Sequence, residues 1–245
     1  KHIKLQTFEI PSKTQVFDWI IPKEWNIANA YIIDPKGDKI IDFKKSNLHV
    51  LNYSVSIHKK MSLHELKPHL YTLPDQPDVI PYRTSYYNED WGFCLSYNQF
   101  LKLEGGTYEV FIDSTLENGH LTYSEYFLKG KKTDEVLITC YTCHPSLCND
   151  NLSGVVLTTM LAKHLSNVEL NYSYRFLFIP ETIGSITWLC KNEGNLSKIK
   201  HGLVVTCVGD EGISSYKKSR QGNAEIDNIV INMLKNSNAD YDVID

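Results

Sequence analysis

Three short apolar runs constrain this chain more than anything else in it. Residues 136–142, 174–179 and 203–208 are compact, rich in β-branched and aromatic residues, and show no polar alternation. Runs of that kind read as strands buried on both faces. The stretches between and after them carry the other period. Val156, Met160, Leu161 and Leu165 recur at helical spacing within 153–168, with Ser153 as the expected N-cap. Further helices are expected from about 185 to 191 and over 224–234. Buried strands alternating with amphipathic helices predict an α/β fold, a mixed but mainly parallel sheet with helices on both faces.

That pattern holds for residues 105–245, and the preceding part is different. Residues 11–104 read as a small, mostly β module. Within it, Tyr31-Ile32-Ile33 and Lys39-Ile40-Ile41-Asp42-Phe43 flank Asp34-Pro35-Lys36-Gly37-Asp38, a hairpin signature. His49 to Ile57 alternates like a half-buried strand. Ser62 with Glu65 three residues on predicts a capped short helix up to His69. Tyr82, Tyr86, Tyr87 and Trp91 are expected to form an aromatic core of this module, with a cleft lining as the other use. In the α/β part, Asn118-Gly119 between 108–113 and 121–128 predicts a second hairpin.

The formal net charge of -4, with no basic block, argues against nucleic acid as a main partner. No apolar run approaches the roughly 20 residues of a membrane-spanning helix. Several of the six cysteines fall inside strand-like runs, as Cys140 and Cys207 do, where the residue acts as a small hydrophobe. Together with the lack of a visible secretory signal this favours reduced thiols and a cytoplasmic location. The chain opens on Lys1 and stops in a strand-like Tyr241-Asp242-Val243-Ile244-Asp245, so sequence is expected to be missing at both ends.

Polar residues gather where the three apolar runs end. The first leads into Cys143-His144-Pro145, the second into Pro180-Glu181-Thr182 and the third into Gly209-Asp210, while Asp150 precedes the Ser153 helix. In open α/β sheets ligands bind outside the carboxyl ends of the strands. About 30 residues separate Asp150 from Glu181 and Glu181 from Asp210, roughly one βαβ unit each, so crossovers can bring all these loops to one rim. Imidazole and carboxylates suit zinc, and a carboxylate that does not ligate can act as general base toward water. Each residue singly also serves as an ordinary cap or turn residue; the coincidence at three strand ends carries the reading. Cys140-Tyr141-Thr142-Cys143-His144 matches the haem-attachment pattern C-x-x-C-H. Residues 140 and 143 of a strand point to opposite faces, which argues against haem and against a cysteine-rich structural zinc site.

Several motifs resemble one known family. They include Gln15-Val16-Phe17-Asp18-Trp19, Ile21-Pro22-Lys23-Glu24-Trp25, Asp75-Gln76-Pro77-Asp78 and Trp91-Gly92-Phe93-Cys94. The α/β part adds Cys143-His144-Pro145-Ser146, Asp150-Asn151-Leu152-Ser153-Gly154 and Pro180-Glu181-Thr182-Ile183-Gly184-Ser185. Together they are similar to a bacterial family of aminopeptidase-like proteins catalogued as a domain of unknown function, in which a β-rich module is inserted into a zinc exopeptidase domain of the clan MH kind. The resemblance implies a zinc-dependent amide hydrolase acting on peptides or other small amide-containing substrates. His144, Asp150 and Asp210 are similar to the family's metal ligands and Glu181 to its base. Two positions depart from the pattern. Thr182 stands where the family has a second, ligating Glu, and Ser146 where it has the Asp that orients the first His. A further His ligand would lie beyond Asp245. These departures imply a single zinc, or alternatively a binding protein on a degenerate peptidase scaffold.

Overall fold

The computed structural model describes residues 2–143, 147–237 and 239–245. In chain order the main strands are β1 (Gln6–Pro11), β2 (Glu24–Ile33), β3 (Lys39–Asp42), β4 (Ile57–Ser62), β5 (Thr107–Glu117), β6 (His120–Leu128), β7 (Glu135–Tyr141), β8 (Ser173–Ile179), β9 (Ile199–Val205), β10 (Ser214–Lys217) and β11 (Tyr241–Ile244). The main helices are α1 (Ser153–Leu165), α2 (Ile183–Lys191) and α3 (Glu225–Asn236). One compact unit holds Lys1–Ile10, Gln15–Trp19 and Thr122–Asp245; the other holds Pro11–Thr14 and Ile20–Leu121.

The second unit is built on a four-stranded sheet in the order β3-β2-β5-β4, with each neighbouring pair antiparallel. Alternation in β5 buries Tyr108, Val110 and Ile112 beside Ala30 and Ile32 of β2, and Phe93 completes that core. The β2–β3 turn closes because Asp34 Oδ1 accepts the N–H groups of Lys36 and Asp38, each at 2.9 Å, while Gly37 supplies φ +90°. The Ser62 capping box is present: Ser62 Oγ accepts the Glu65 N–H and Glu65 Oε2 accepts the Ser62 N–H. The α-helix it opens covers only Leu63–Leu66, and the chain continues through Pro68 as a 3₁₀ turn.

Three expectations fail here. His49 to Ile57 does not form a strand. Ser54 Oγ donates to the Leu51 carbonyl at 2.6 Å and the Ser54 carbonyl accepts from Trp25 and Ser114, so side-chain bonds take the backbone that a ladder would need. The four aromatics do not form one core. Trp91 packs on the core and stacks on His69, whereas Tyr86 and Tyr87 are 77% and 40% exposed. The Asn118-Gly119 turn is not a hairpin, because β5 joins β2 and β4 while β6 joins β1 and β8. Residues 107–117 therefore lie in the sheet of the second unit, and the compact units change at 121/122 rather than near 105.

The first unit carries a five-stranded mixed sheet in the order β1-β6-β8-β7-β9. β7 pairs in parallel with both β8 and β9, and β6 runs antiparallel to β8. Side chains alternate, so the two faces can be read from the register. Ile138, Cys140, Phe176 and Phe178 share one face and pack with Ala162 of α1. Glu125, Glu135, Arg175 and Leu177 fall on the other face, where α2 presents Trp188 to Glu125. Helices thus cover both faces, as an α/β arrangement requires. Gly154 lets the start of α1 approach β9, since a Cβ there would sit 2.2 Å from the Val205 carbonyl oxygen.

β10 and β11 form a parallel pair bridged by α3. The crossover is tied by Asp227, whose buried carboxylate accepts from Tyr216 Oη at 2.9 Å, Ser219 Oγ at 2.6 Å, and the N–H groups of Ser219 and Ala224. The Ser219 bonds above all hold its pKa down to about 2. A carboxyl depressed below its unfolded value of about 3.9 stabilises the fold in full above that pH and loses the contribution as pH falls through 2. Thermal melts of Asp227→Asn against the parent are therefore expected to show a Tm deficit at pH 6 that closes between pH 4 and 2. A deficit independent of pH across that window contradicts the assignment.

Candidate active site

The carboxyl ends of β7, β8 and β9 lie side by side because the three strands are parallel. Tyr141 stands opposite Ile179, and Cys140 opposite Val205. Beyond these pairs each strand gives up its ladder and releases a polar loop. β7 runs through Thr142 and Cys143 to His144, which lies outside the described residues together with Pro145 and Ser146. β8 runs through Pro180 into Glu181 and Thr182. β9 runs through Thr206 and Cys207 to Gly209 and Asp210.

The segment that carries Asp150 is a π-helical turn, Cys148–Leu152, leading into α1. Single π-turns at the head of an α-helix are frequent at functional sites. Ser153 is not the N-cap expected from the sequence. Its hydroxyl instead donates to the Asn149 carbonyl at 2.6 Å and accepts the Val208 N–H at 3.1 Å, because the π-turn moves the helix start and leaves Ser153 inside it. Asn149 is the main tie between the two loops. Its Nδ2 donates to Asp210 Oδ2 at 2.5 Å, its Oδ1 accepts the Gly209 N–H at 2.8 Å, and its carbonyl accepts the Cys207 N–H at 3.1 Å. Thr206 Oγ1 adds a bond to the Asp150 carbonyl at 2.5 Å.

Charge around the rim is readable from its effect on neighbours. Burial raises the pKa of Tyr141 first, and the carboxylates of Glu181 and Asp150 raise it further. Cys143 is shifted up for the same reasons, with its bond from the Glu181 N–H opposing. Glu181 and Asp150 thus lie within electrostatic reach of one Tyr–Cys pair. Asp210 is linked to the same place through Asn149, and its Oδ1 accepts the Gly212 N–H at 2.8 Å. Glu181 and Asp210 are exposed and Asp150 is partly buried, so the rim is open to a ligand.

Backbone strain marks the same edge. Thr182 takes φ +56°, ψ -85° at the start of α2, and Cys207 takes φ +51° after β9. A β-branched residue with positive φ is an outlier that its surroundings must hold in place, and such residues cluster at functional sites. The sequence places Cys143 at the end of the first run but gives it no role there, and it does not single out Asn149 or Thr206. Position next to Asp150 and to the ends of the strands is the available signal for the latter two.

Of the donors expected for a zinc ion, the described residues bring the carboxylates Asp150 and Glu181 to this rim, while His144 lies outside the described residues. Among the described residues, however, no group of three or more His, Cys, Asp or Glu side chains is arranged to hold a metal, and Asp210 is turned to Asn149 and Gly212. Cys140 belongs to the core beneath α1, with burial pushing its thiol up to about 11, so it and Cys143 serve different places. Among the described residues no helix is long and apolar enough to cross a membrane.

The mixed sheet covered by helices on both faces is an α/β fold, and aminopeptidases are among the solved structures that share it. The structure of a zinc aminopeptidase from Bacillus subtilis superposes with a TM-score of 0.65, covering 98% of this chain and 68% of that one at 13% identity, a likeness of fold. The chain belongs to the family described as a domain of unknown function, DUF4910, whose pattern matches residues 1–245. It is 58% identical over 245 residues to the "Putative polysaccharide biosynthesis protein with aminopeptidase-like domain" of Clostridium acetobutylicum, and spans 56% of that protein. The crystal structure of a "putative peptidase" from Clostridium acetobutylicum matches with a TM-score of 0.96 at 58% identity, over all of this chain and 58% of that one.

Proposed function

We propose that this chain carries the catalytic rim of a zinc-dependent amide hydrolase of aminopeptidase type. The observation that carries the reading is the shared carboxyl edge of the parallel strands β7, β8 and β9, where the Glu181 N–H bonds Cys143 Sγ and Asn149, next to Asp150, bonds Asp210, in a sheet whose fold is like that of an aminopeptidase. His144, Asp150 and Asp210 would hold a single zinc, which when bound lends Lewis acidity toward water and an amide carbonyl. Glu181, exposed just past β8, would take a proton from the attacking water and return it to the leaving amine. The open rim suits a small substrate with an accessible end, a peptide or an amide-bearing saccharide; the second class is suggested by the name of the Clostridium relative. The location consistent with reduced thiols is the cytoplasm.

A second reading is favoured by Thr182, which puts a hydroxyl where the resembled family has a ligating carboxylate. It makes the chain a binding protein on a peptidase scaffold, since fold alone does not fix activity. Zinc content separates the two. Elemental analysis of the full-length protein is expected to give about one zinc per chain, lost in His144→Ala with the fold retained. A well-folded parent without zinc, after reconstitution with the metal, sinks the hydrolase.

A further inference from the structure

The Glu181 backbone is held by a thiol. Thr142 N–H donates to the Ile179 carbonyl at 3.1 Å, one step past the last paired residues of β7 and β8. In continued parallel pairing the next bond would run from the Glu181 N–H to the Thr142 carbonyl. Instead the Glu181 N–H donates to Cys143 Sγ at 3.1 Å. A side-chain sulfur has taken the place of a ladder carbonyl at the point where the two strands part.

We infer that Cys143 is a positioning residue for Glu181, its sulfur fixing the strained turn that aims the Glu181 carboxylate at the rim. Two further features bear on this turn. Thr182, the next residue, is held at φ +56° against its own preference. On its far side the chain is clamped by α2: the Ile186 N–H bonds the Thr182 carbonyl at 2.9 Å, and Gly184 sits so close to β8 that a Cβ would lie 2.6 Å from Ile179 Cγ1. The near side has the Cys143 bond to the Glu181 N–H. Released from the thiol, Thr182 can relax toward an ordinary φ, which rotates Glu181 away from its neighbours. The role rests on the proposed hydrolase only for its effect on turnover; the bond itself is testable without it.

The experiment has two arms on the full-length protein. In the first, hydrogen exchange of the Glu181 amide is followed by NMR; Cys143→Ala is expected to speed it at least about tenfold relative to the parent, and Cys143→Ser, which keeps an acceptor, much less. Equal exchange in parent and Cys143→Ala overturns the inference whether or not the protein is an enzyme. In the second, hydrolysis of aminoacyl anilides is measured. Cys143→Ala is expected to lower kcat roughly 10- to 100-fold with KM changed less than about threefold, with Cys143→Ser recovering most of the loss. In a Thr182→Gly background, where positive φ costs little, the loss on Cys143→Ala should shrink. Equal losses in the Ala and Ser variants, or an undiminished loss in the Thr182→Gly background, show that sulfur volume alone matters and overturn the role. If Cys143→Ala fails to fold, the Ser variant and Thr182→Gly carry the same comparison. An inactive parent removes the hydrolase and leaves the exchange arm to decide.

Discussion

Glu181→Gln is expected to lower kcat of the full-length protein on aminoacyl anilides by about 10²–10⁴-fold, the range for loss of a general base, while its zinc content stays unchanged. The amide is isosteric with the carboxylate and leaves the backbone bond to Cys143 untouched, so the turn should survive. What it cannot do at neutral pH is accept a proton from water. The split between turnover and metal is the informative part. Zinc lost together with activity makes Glu181 a ligand, and the base must be sought elsewhere on the rim. Activity retained within a few-fold removes Glu181 from the chemistry altogether. In that case Asp150, the other carboxylate acting on Tyr141 and Cys143, becomes the residue to change next.

The largest effect on stability is expected at Arg175. Its guanidinium grips Glu135 through two bonds, Nε to Oε2 at 2.8 Å and Nη2 to Oε1 at 3.1 Å, and Glu125 through Nη1 at 2.5 Å. Trp188 Nε1 completes Glu125 at 2.6 Å, and the Phe127 ring lies 4.9 Å from the guanidinium carbon. Both carboxylates are only 9% exposed. Arg175→Met keeps the stem but strands two buried anions, which costs about 3–5 kcal/mol in buried pairs broken from one side. Against a typical total of about 5–15 kcal/mol this is a large share. Urea titration should show it as a lower midpoint at unchanged slope. Arg175→Lys retains the charge without the fork and should lose less. A destabilisation under about 1 kcal/mol for the Met variant would mean water already reaches the cluster.

Much of this was legible in the sequence where one physical signal dominated. The runs at 136–142 and 174–179 appear as β7 and β8 within a residue, because strands apolar on both sides have few other ways to be buried; the run at 203–208 appears displaced, as the edge strand β9, whose alternate residues, Val204 among them, are exposed rather than buried on both faces. Their parallel pairing follows from the helices between them, and it places Glu181 beside the end of β7. The Ser62 capping box was equally local and equally readable. What escaped was decided by partners distant in sequence. Asn118-Gly119 has the chemistry of a hairpin, but β5 and β6 each find other neighbours. Ser153 has the chemistry of a cap, but the π-turn before it changes its job. Nothing near Asn149 or Cys143 announces that one ties Asp210 and the other the Glu181 amide.

The order in which the two units appear along the chain has a consequence for synthesis. The second unit needs only residues 11–14 and 20–121, so all of it exists once residue 121 has been made. Of the first unit's strands described above, only β1 has been made at that moment; β7, β8 and β9 have yet to be translated. β1 must wait for β6 across roughly a hundred residues, a contact whose closure entropy would be heavy in an open chain. A second unit already folded on the ribosome shortens that loop to its own two ends. Its early folding thus serves the sheet that forms after it, and a slow-folding variant of the small β unit should leave the five-stranded sheet waiting with β1 unpaired.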